Sequence, residues 1–185
     1  MKKIKIILLF LFATSLLSGY VFIQEKNVNT EKIKWMTFQQ AIEKSKKKKK
    51  KIFIDVYTNW CGWCKVMDKN TFTNPVIIKY MNEKYYAVKL NAEMNDTIFF
   101  NNYTFVNPTP KIPRSTHQLA ASLLNNQLSY PTTVYLDKDF KMLSQVPGYQ
   151  KPAQMEVVMK YFGSDDYKKT KWEDYQKTFK SEITP

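Results

Sequence analysis

Cysteine, histidine, arginine and glycine are all scarce in this chain of 185 residues. It has two cysteines, Cys61 and Cys64, and one histidine, His117. A disulfide-rich extracellular scaffold uses more cysteines at wider spacing, and a structural zinc site needs four ligands. A single chain therefore lacks a Cys/His zinc shell, and we predict neither a metal nor a cofactor. A metal shared across a dimer stays open as an alternative.

The positive charge comes almost entirely from lysine. Lysine and arginine together number 29 against 16 acidic residues, which gives a net charge of +13, and Arg114 is the only arginine. Proteins that read nucleic acids depend on arginine for bidentate contacts, so we predict no nucleic-acid partner. The unbroken lysine run Lys46–Lys51 has two readings, contact with an anionic membrane surface or a solvated helix end. The four glycines leave little room for a phosphate-binding glycine loop.

The N-terminus has the pattern of an export segment. Lys2, Lys3 and Lys5 precede a stretch of 18 residues without charge, Ile6–Ile23. This order is typical of a signal peptide, and the length is at the lower limit for a membrane span. We therefore predict a signal peptide or an uncleaved membrane anchor at 1–23 and a polar linker at 24–34. The protein is expected in the periplasm or cell envelope, anchored to the inner membrane if the segment is not cleaved.

The rest of the chain alternates helical and strand patterns, which predicts an α/β fold. Apolar runs favour strands over 52–57, 86–91, 132–137 and 141–146. Apolar spacing favours helices over 37–48, 65–72, 74–84, 115–125, 152–162 and 166–179. Alternation around Asn101-Asn102 predicts a β-hairpin over 97–106.

A C-x-x-C motif, Trp60-Cys61-Gly62-Trp63-Cys64, lies between the first predicted strand and a helix. With its context the sequence resembles the thioredoxin superfamily over Trp35–Phe162. The corresponding parts are the active-site strand and motif (Ile54-Asp55-Val56-Tyr57 and Trp60 to Lys65), the next central strand (Lys89-Leu90-Asn91), the cis-proline segment (Tyr130-Pro131-Thr132) and a glycine after the last strand (Gly148).

Two departures narrow the resemblance. Trp63 replaces the proline usual between the cysteines, and the segment 92–129 is longer than the thioredoxin connection. The chain is similar to exported thioredoxin-like proteins of Bacteroidetes type. The resemblance implies a thioredoxin-like three-layer sandwich with a central mixed sheet at 35–163. An inserted hairpin plus helix would lie in 92–129, and an extra C-terminal helix in 164–185.

The two cysteines suit disulfide exchange, which requires a thiolate attacking a disulfide sulfur. A helix N-terminus stabilises the thiolate, so we predict an exposed Cys61 as the nucleophile and Cys64, one turn on, as the resolving thiol. Asp55, on the inward side of its strand, would have a raised pKa and could accept the Cys64 proton. The alternative is an ordinary salt bridge at a strand edge.

The resemblance adds further site residues. It implies that Lys89 replaces the lysine partner of the family's buried aspartate, and that Pro131 is cis and faces the dithiol. We predict that Trp60, Trp63, Tyr130 and Pro131 form the substrate surface. Arg114 and His117 form a tempting catalytic pair, but a lone histidine is more often a packing or surface residue, and no Ser/His/Asp order supports hydrolysis.

The sequence therefore predicts a thiol–disulfide oxidoreductase, a protein-disulfide reductase or thiol shuttle of the periplasm. Its partners would be protein thiols and disulfides, with a membrane electron donor as a further candidate. A different class stays open, a thioredoxin-fold binding or chaperone module without essential redox turnover. The part of the insertion from about Asn95 to Asn125 motivates that alternative because it could cover or reshape the site.

Overall fold

The computed structural model describes residues 31–183. The predicted signal peptide or anchor at 1–23 lies outside the described residues. No helix within 31–183 is long and apolar enough to cross a membrane.

Helices and strands alternate along the described chain, as predicted. The elements are α1 (Phe38–Lys47), β1 (Lys51–Tyr57), α2 (Gly62–Asn70), α3 (Pro75–Lys84), β2 (Tyr85–Asn91), β3 (Ile98–Phe100), β4 (Tyr103–Phe105), α4 (Gln118–Leu123), β5 (Thr132–Leu136), β6 (Met142–Pro147), α5 (Pro152–Gly163), a 3₁₀ turn (Asp166–Lys168) and α6 (Trp172–Thr178).

The central sheet has four strands in the order β2-β1-β5-β6. β1 and β2 run parallel, while β5 pairs antiparallel with both β1 and β6. Helices flank the sheet, and the predicted mixed-sheet α/β architecture is confirmed. β1 lies between β2 and β5, so the residues that follow it emerge from the middle of the sheet.

The two faces of β1 bury different residues because successive side chains point to opposite sides. Ile52, Ile54 and Val56 join the core that includes α1, β3 and α4. Phe53 joins the opposite core, which includes residues of α2, α3 and α5. Asp55 shares the face of Phe53, so the alternation places a carboxylate on the side of the sheet where α2 packs.

The segment 92–129 contains the predicted hairpin, which is confirmed. β3 and β4 pair antiparallel, and the two turn residues, Asn101 and Asn102, have positive φ values of 50° and 61°. Asparagine tolerates this conformation better than most residues, which explains the turn. The following helix, α4, is shorter than the predicted 115–125 because His117 caps its start and Asn125 and Asn126 follow it with positive φ.

The C-terminal prediction of one helix over 166–179 is wrong. The segment forms a 3₁₀ turn and then the separate helix α6. The carbonyl of Thr170 accepts a hydrogen bond from the Tyr161 hydroxyl rather than from a helical N–H. Trp172 and Tyr175 contact Tyr161, with ring centroids 5.1 and 4.9 Å away. The aromatic spacing therefore reflects packing on α5 rather than a continuous helix.

Candidate active site

The C-x-x-C motif begins α2, and Cys61 lies four residues after Tyr57, where β1 ends. Cys61 is the N-cap residue, and its Sγ accepts a hydrogen bond from the backbone N–H of Cys64 at 3.0 Å. The two cysteines form a disulfide, with their Cα atoms 5.3 Å apart. The unpaired N–H groups and the dipole at this helix end favour a negative charge on sulfur. The arrangement suits a Cys61 thiolate once the disulfide is reduced.

The disulfide itself is less accessible than expected. Cys61 is 5% exposed and Cys64 is 2% exposed, so the expectation of an exposed Cys61 needs correction for the disulfide form. The bond to Cys64 and the hydrogen bond from the Cys64 N–H hold the Cys61 sulfur against the first turn of α2. The neighbouring indoles are the exposed groups here, since Trp60 is 51% and Trp63 is 62% exposed.

Each exposed indole rests on a residue from another part of the chain. The Trp60 ring lies 5.9 Å from that of Tyr130, edge to face, and its Nε1–H donates to Glu93 Oε1 at 2.7 Å. The Trp63 ring stacks on that of Tyr149 at 5.5 Å. Sequence reasoning missed Glu93 and Tyr149, since only the fold brings them to the motif. Aromatic surface therefore extends from both sides of the disulfide.

The Tyr130–Pro131 peptide bond is cis, as the resemblance implied. Pro131 directly precedes Thr132, which pairs with Val56 near the end of β1, so this segment lies at the end of the sheet from which the motif emerges. The Pro131 carbonyl accepts a hydrogen bond from the N–H of Gly148 at 2.8 Å. Gly148 has a φ of 89°, which favours glycine at that position.

Asp55 lies fully buried on β1 and forms an ion pair with Lys89 on β2. Lys89 Nζ lies 2.6 Å from Asp55 Oδ2, whereas Oδ1 of the same carboxyl has no hydrogen-bond partner. Burial raises the pKa of Asp55 to about 6, although the Lys89 charge and its hydrogen bond act in the opposite direction. A carboxyl with such a pKa and an unused oxygen can take up a proton near neutral pH.

Lys89 connects this buried carboxyl to the surface. Its ammonium also forms an ion pair with Asp68 of α2. Burial lowers the pKa of Lys89, but the two carboxylates outweigh that effect and the net pKa is raised. Three aromatic rings surround the ammonium within about 5 Å, a favourable cation–π setting, and they belong to Trp35, Tyr57 and Phe72. Sequence reasoning missed Asp68 because no local pattern links α2 to β2.

Arg114 and His117 do not form a pair. His117 is buried, its Nδ1 accepts from the N–H of Leu119 at 3.1 Å, and its Nε2 lies 2.9 Å from the carbonyl oxygen of Asp96. Burial lowers its pKa, which favours the neutral ring that this cap requires. His117 is thus a packing and capping residue, the role favoured for a lone histidine. Arg114 lies on the Trp60 ring instead, with its Cζ 5.0 Å from the ring centroid.

Fold and site together define a thioredoxin-fold protein with a disulfide-capable C-x-x-C pair at a helix N-terminus. The chain belongs to the family Thioredox_DsbH, described as "Protein of unknown function, DUF255", which it matches over residues 17–180. The thioredoxin superfamily assignment is confirmed. The Bacteroidetes type stays a prediction.

Curated relatives match the chain over a shorter stretch. Spermatogenesis-associated protein 20 of Mus musculus is 34% identical over 71 residues, which are 38% of this chain and 9% of that protein. Uncharacterized protein B0495.5 of Caenorhabditis elegans is 38% identical over 55 residues, which are 30% of this chain and 8% of that protein. The match thus spans less than a tenth of the length of these relatives.

Solved structures support the fold. A structure titled DsbH Oxidoreductase has a TM-score of 0.54 at 16% identity, over 82% of this chain and 98% of its own. A thioredoxin-fold protein from Helicobacter pylori has a TM-score of 0.52 at 22% identity, over 70% and 79%. A thioredoxin from Thermus thermophilus has a TM-score of 0.52 at 12% identity, over 73% and 93%. With the Cys61–Cys64 disulfide, this fold supports thiol–disulfide oxidoreductase chemistry in general terms.

Proposed function

We propose that this protein is a protein-disulfide reductase or thiol shuttle of the periplasm or cell envelope. One observation carries the proposal: a disulfide-capable pair caps α2, and the strand leading to it holds a buried Asp55–Lys89 pair. Its partners are protein disulfides on one side and an electron donor, in the membrane if the N-terminus is an anchor, on the other.

The reaction begins with reduced protein. The Cys61 thiolate attacks a substrate disulfide, one substrate sulfur leaves as a thiolate and takes up a proton, and a mixed disulfide forms. The Cys64 thiol then loses its proton to Asp55, directly or through water, and attacks Cys61 Sγ. This step forms the Cys61–Cys64 disulfide and expels the second substrate sulfur as a thiolate, which takes up a proton from solvent or from Asp55. The substrate gains two electrons from the protein, and the donor must then return two electrons to the Cys61–Cys64 disulfide.

A Cys64→Ser variant tests this proposal because it cannot resolve the mixed disulfide. We expect it to accumulate disulfide-linked partners that a reductant releases, with Cys61→Ser as the matched control that traps none. The wild-type protein should also reduce insulin with dithiothreitol as donor. A folded protein that traps no partner and reduces no disulfide contradicts the proposal. Its measured reduction potential, set against that of the compartment, decides the direction of transfer.

The alternative function, a binding or chaperone module, has its own observation. Phe99 and Tyr103 of the hairpin and Ile112 of the following loop are large exposed apolar residues, and such surface commonly marks interaction sites. If deletion of 95–125 abolishes the protein's function in cells and Cys61→Ser does not, the binding role is favoured over the redox role.

A further inference from the structure

The guanidinium of Arg114 lies over the side chain of the residue that precedes the candidate nucleophile. Its Cζ is 5.0 Å from the ring centroid of Trp60, the residue before Cys61. The same indole donates to Glu93 Oε1 at 2.7 Å. Both charged residues come from the inserted segment 92–129. The insertion therefore forms one side of the surface around Trp60, and it places one positive and one negative side chain there.

The loop that carries Arg114 is held by a buried asparagine. Asn107 donates through Nδ2 to the carbonyl oxygens of Ser115 and Met94 at 3.1 and 3.4 Å, and its Oδ1 accepts from the N–H of Thr109 at 3.2 Å. Arg114 has a φ of 64°, a conformation that a large side chain adopts at some cost. The folded loop thus fixes the Arg114 backbone and directs its side chain to Trp60.

The donors of Arg114 are available to a ligand. Arg114 is exposed, and throughout residues 31–183 its guanidinium makes neither an ion pair nor a hydrogen bond within the chain. The edge of a guanidinium presents several N–H donors in a fork that matches a carboxylate. A guanidinium with unused donors, placed over the indole that precedes the reacting cysteine, is suited to binding one carboxylate on the incoming chain.

We propose that Arg114 is a specificity-determining residue that binds the carboxylate of an aspartate or glutamate close to the reacting cysteine of a substrate protein. This inference rests on the proposed reductase function and names the substrate class, disulfides with an acidic flank.

Two disulfide-linked peptide dimers test the inference; they are identical except for glutamate or glutamine next to the cysteine. The full-length protein, purified in detergent and pre-reduced, is mixed with each peptide, and each rate is divided by the same variant's rate on uncharged 2-hydroxyethyl disulfide. We expect wild type to prefer glutamate about fivefold, the range of an exposed ion pair. The preference should vanish in Arg114→Gln and be intermediate in Arg114→Lys, which keeps the charge but loses the forked N–H donors.

Lys111→Gln is the matched control. Lys111 is an exposed cation of the same loop, so its loss removes the same charge away from Trp60 and should leave the preference intact. A wild-type ratio of one, with normal turnover of 2-hydroxyethyl disulfide, overturns this inference alone. Equal loss of the preference in Lys111→Gln also overturns it, because net charge would then explain the selectivity. A folded protein that reduces none of the disulfides overturns the proposed function, and this inference with it.

Discussion

Two fully buried carboxylates, Asp55 and Glu156, each pair with a lysine, and their surroundings differ. Asp55 accepts from Lys89 on one oxygen and leaves the other oxygen without a partner. Glu156 uses both oxygens, since Oε1 accepts from Lys160 Nζ at 2.7 Å and from the N–H of Glu182 at 3.0 Å, and Oε2 accepts from the Ser181 hydroxyl.

The difference appears in the pKa values. Burial raises the pKa of Asp55 to about 6, and one lysine shared with Asp68 does not offset it. Burial also acts to raise the pKa of Glu156, but the hydrogen bonds from Lys160, Ser181 and Glu182 outweigh it, and that pKa is lowered. A satisfied buried carboxylate holds the C-terminal segment on α5. An unsatisfied one, on the strand that leads to Cys61, destabilises the fold and is available for proton transfer.

The largest expected effect is on activity. Asp55→Asn removes the proton acceptor, so the single-turnover rate of insulin reduction by pre-reduced protein should fall about 10²-fold, as for loss of a general base. The variant should also lose the pH dependence near pH 6 that the Asp55 titration imposes. Glu156→Gln, measured alongside, should keep both the rate and its pH profile. An unchanged rate in Asp55→Asn would remove Asp55 from the mechanism.

The same substitution should stabilise the protein. The carboxyl titrates near 3.8 when unfolded and about 6 when folded, so the folded state binds more protons between these values and wild-type stability falls as pH rises through that range. Asparagine removes this cost, and Asp55→Asn should raise the free energy of unfolding at pH 7 by about 2 kcal/mol, allowing for the lost ion pair. Urea denaturation of the disulfide form from pH 3 to 8 measures it. Destabilisation at pH 7 would mean that the ion pair outweighs burial.

Glu156 should respond with the opposite sign. Glu156→Gln leaves Lys160 without its buried counter-charge and weakens the bonds to Ser181 and Glu182, which should cost about 1.5 kcal/mol at pH 7. Because the pKa of Glu156 is lowered, its stabilisation is present above pH 4.5 and is lost as pH falls through the folded-state value. Thermal or urea unfolding checks this, with the exposed Glu173→Gln as control. Equal stability of Glu156→Gln and Glu173→Gln would show that Glu156 does not hold the C-terminal segment on α5.

The smallest expected effect is that of Asp68 on the pKa of Asp55. Asp68→Asn removes a nearby negative charge and leaves Lys89 to Asp55 alone, so the pKa of Asp55 should fall. The acidic limb of the rate profile should move to lower pH, and the rate at pH 7 should change less than about threefold. Carboxyl NMR titration of Asp55 measures the shift directly. A rise in that pKa would show that Asp68 mainly positions Lys89.

The burial of Asp55 and its place on the strand that leads to the disulfide could be predicted from the sequence. The apolar run around Asp55 predicted burial, and the motif order predicted the helix that begins at the disulfide. Asp68 could not be predicted in this way, because its contact with Lys89 depends on how α2 packs over β2. The role of Glu156 was also missed, since two of its three partners, Ser181 and Glu182, lie about 25 residues further along the chain and have no local signature in the sequence.

The C-terminal error has a related physical cause. Trp172, Tyr175 and Phe179 lie three and four residues apart, a helical spacing that predicted one helix over the whole of 166–179. Tertiary contacts override that spacing, since Tyr161 bonds the Thr170 carbonyl and contacts the later rings. His117 shows the reverse case, where the general expectation for a lone histidine was sound but its specific capping role had no local signature.

The presence of only two sulfhydryl groups limits how many electrons the molecule can hold. Cys61 and Cys64 are the only cysteines, and they bond to each other. Each chain can therefore carry one pair of electrons and has no third thiol in which to store or divert them. An electrochemical titration should give a single two-electron Nernst curve, about 30 mV for each tenfold change in the ratio of oxidised to reduced protein. Under the proposed reductase function, each substrate disulfide that is reduced thus requires one complete reaction with the donor.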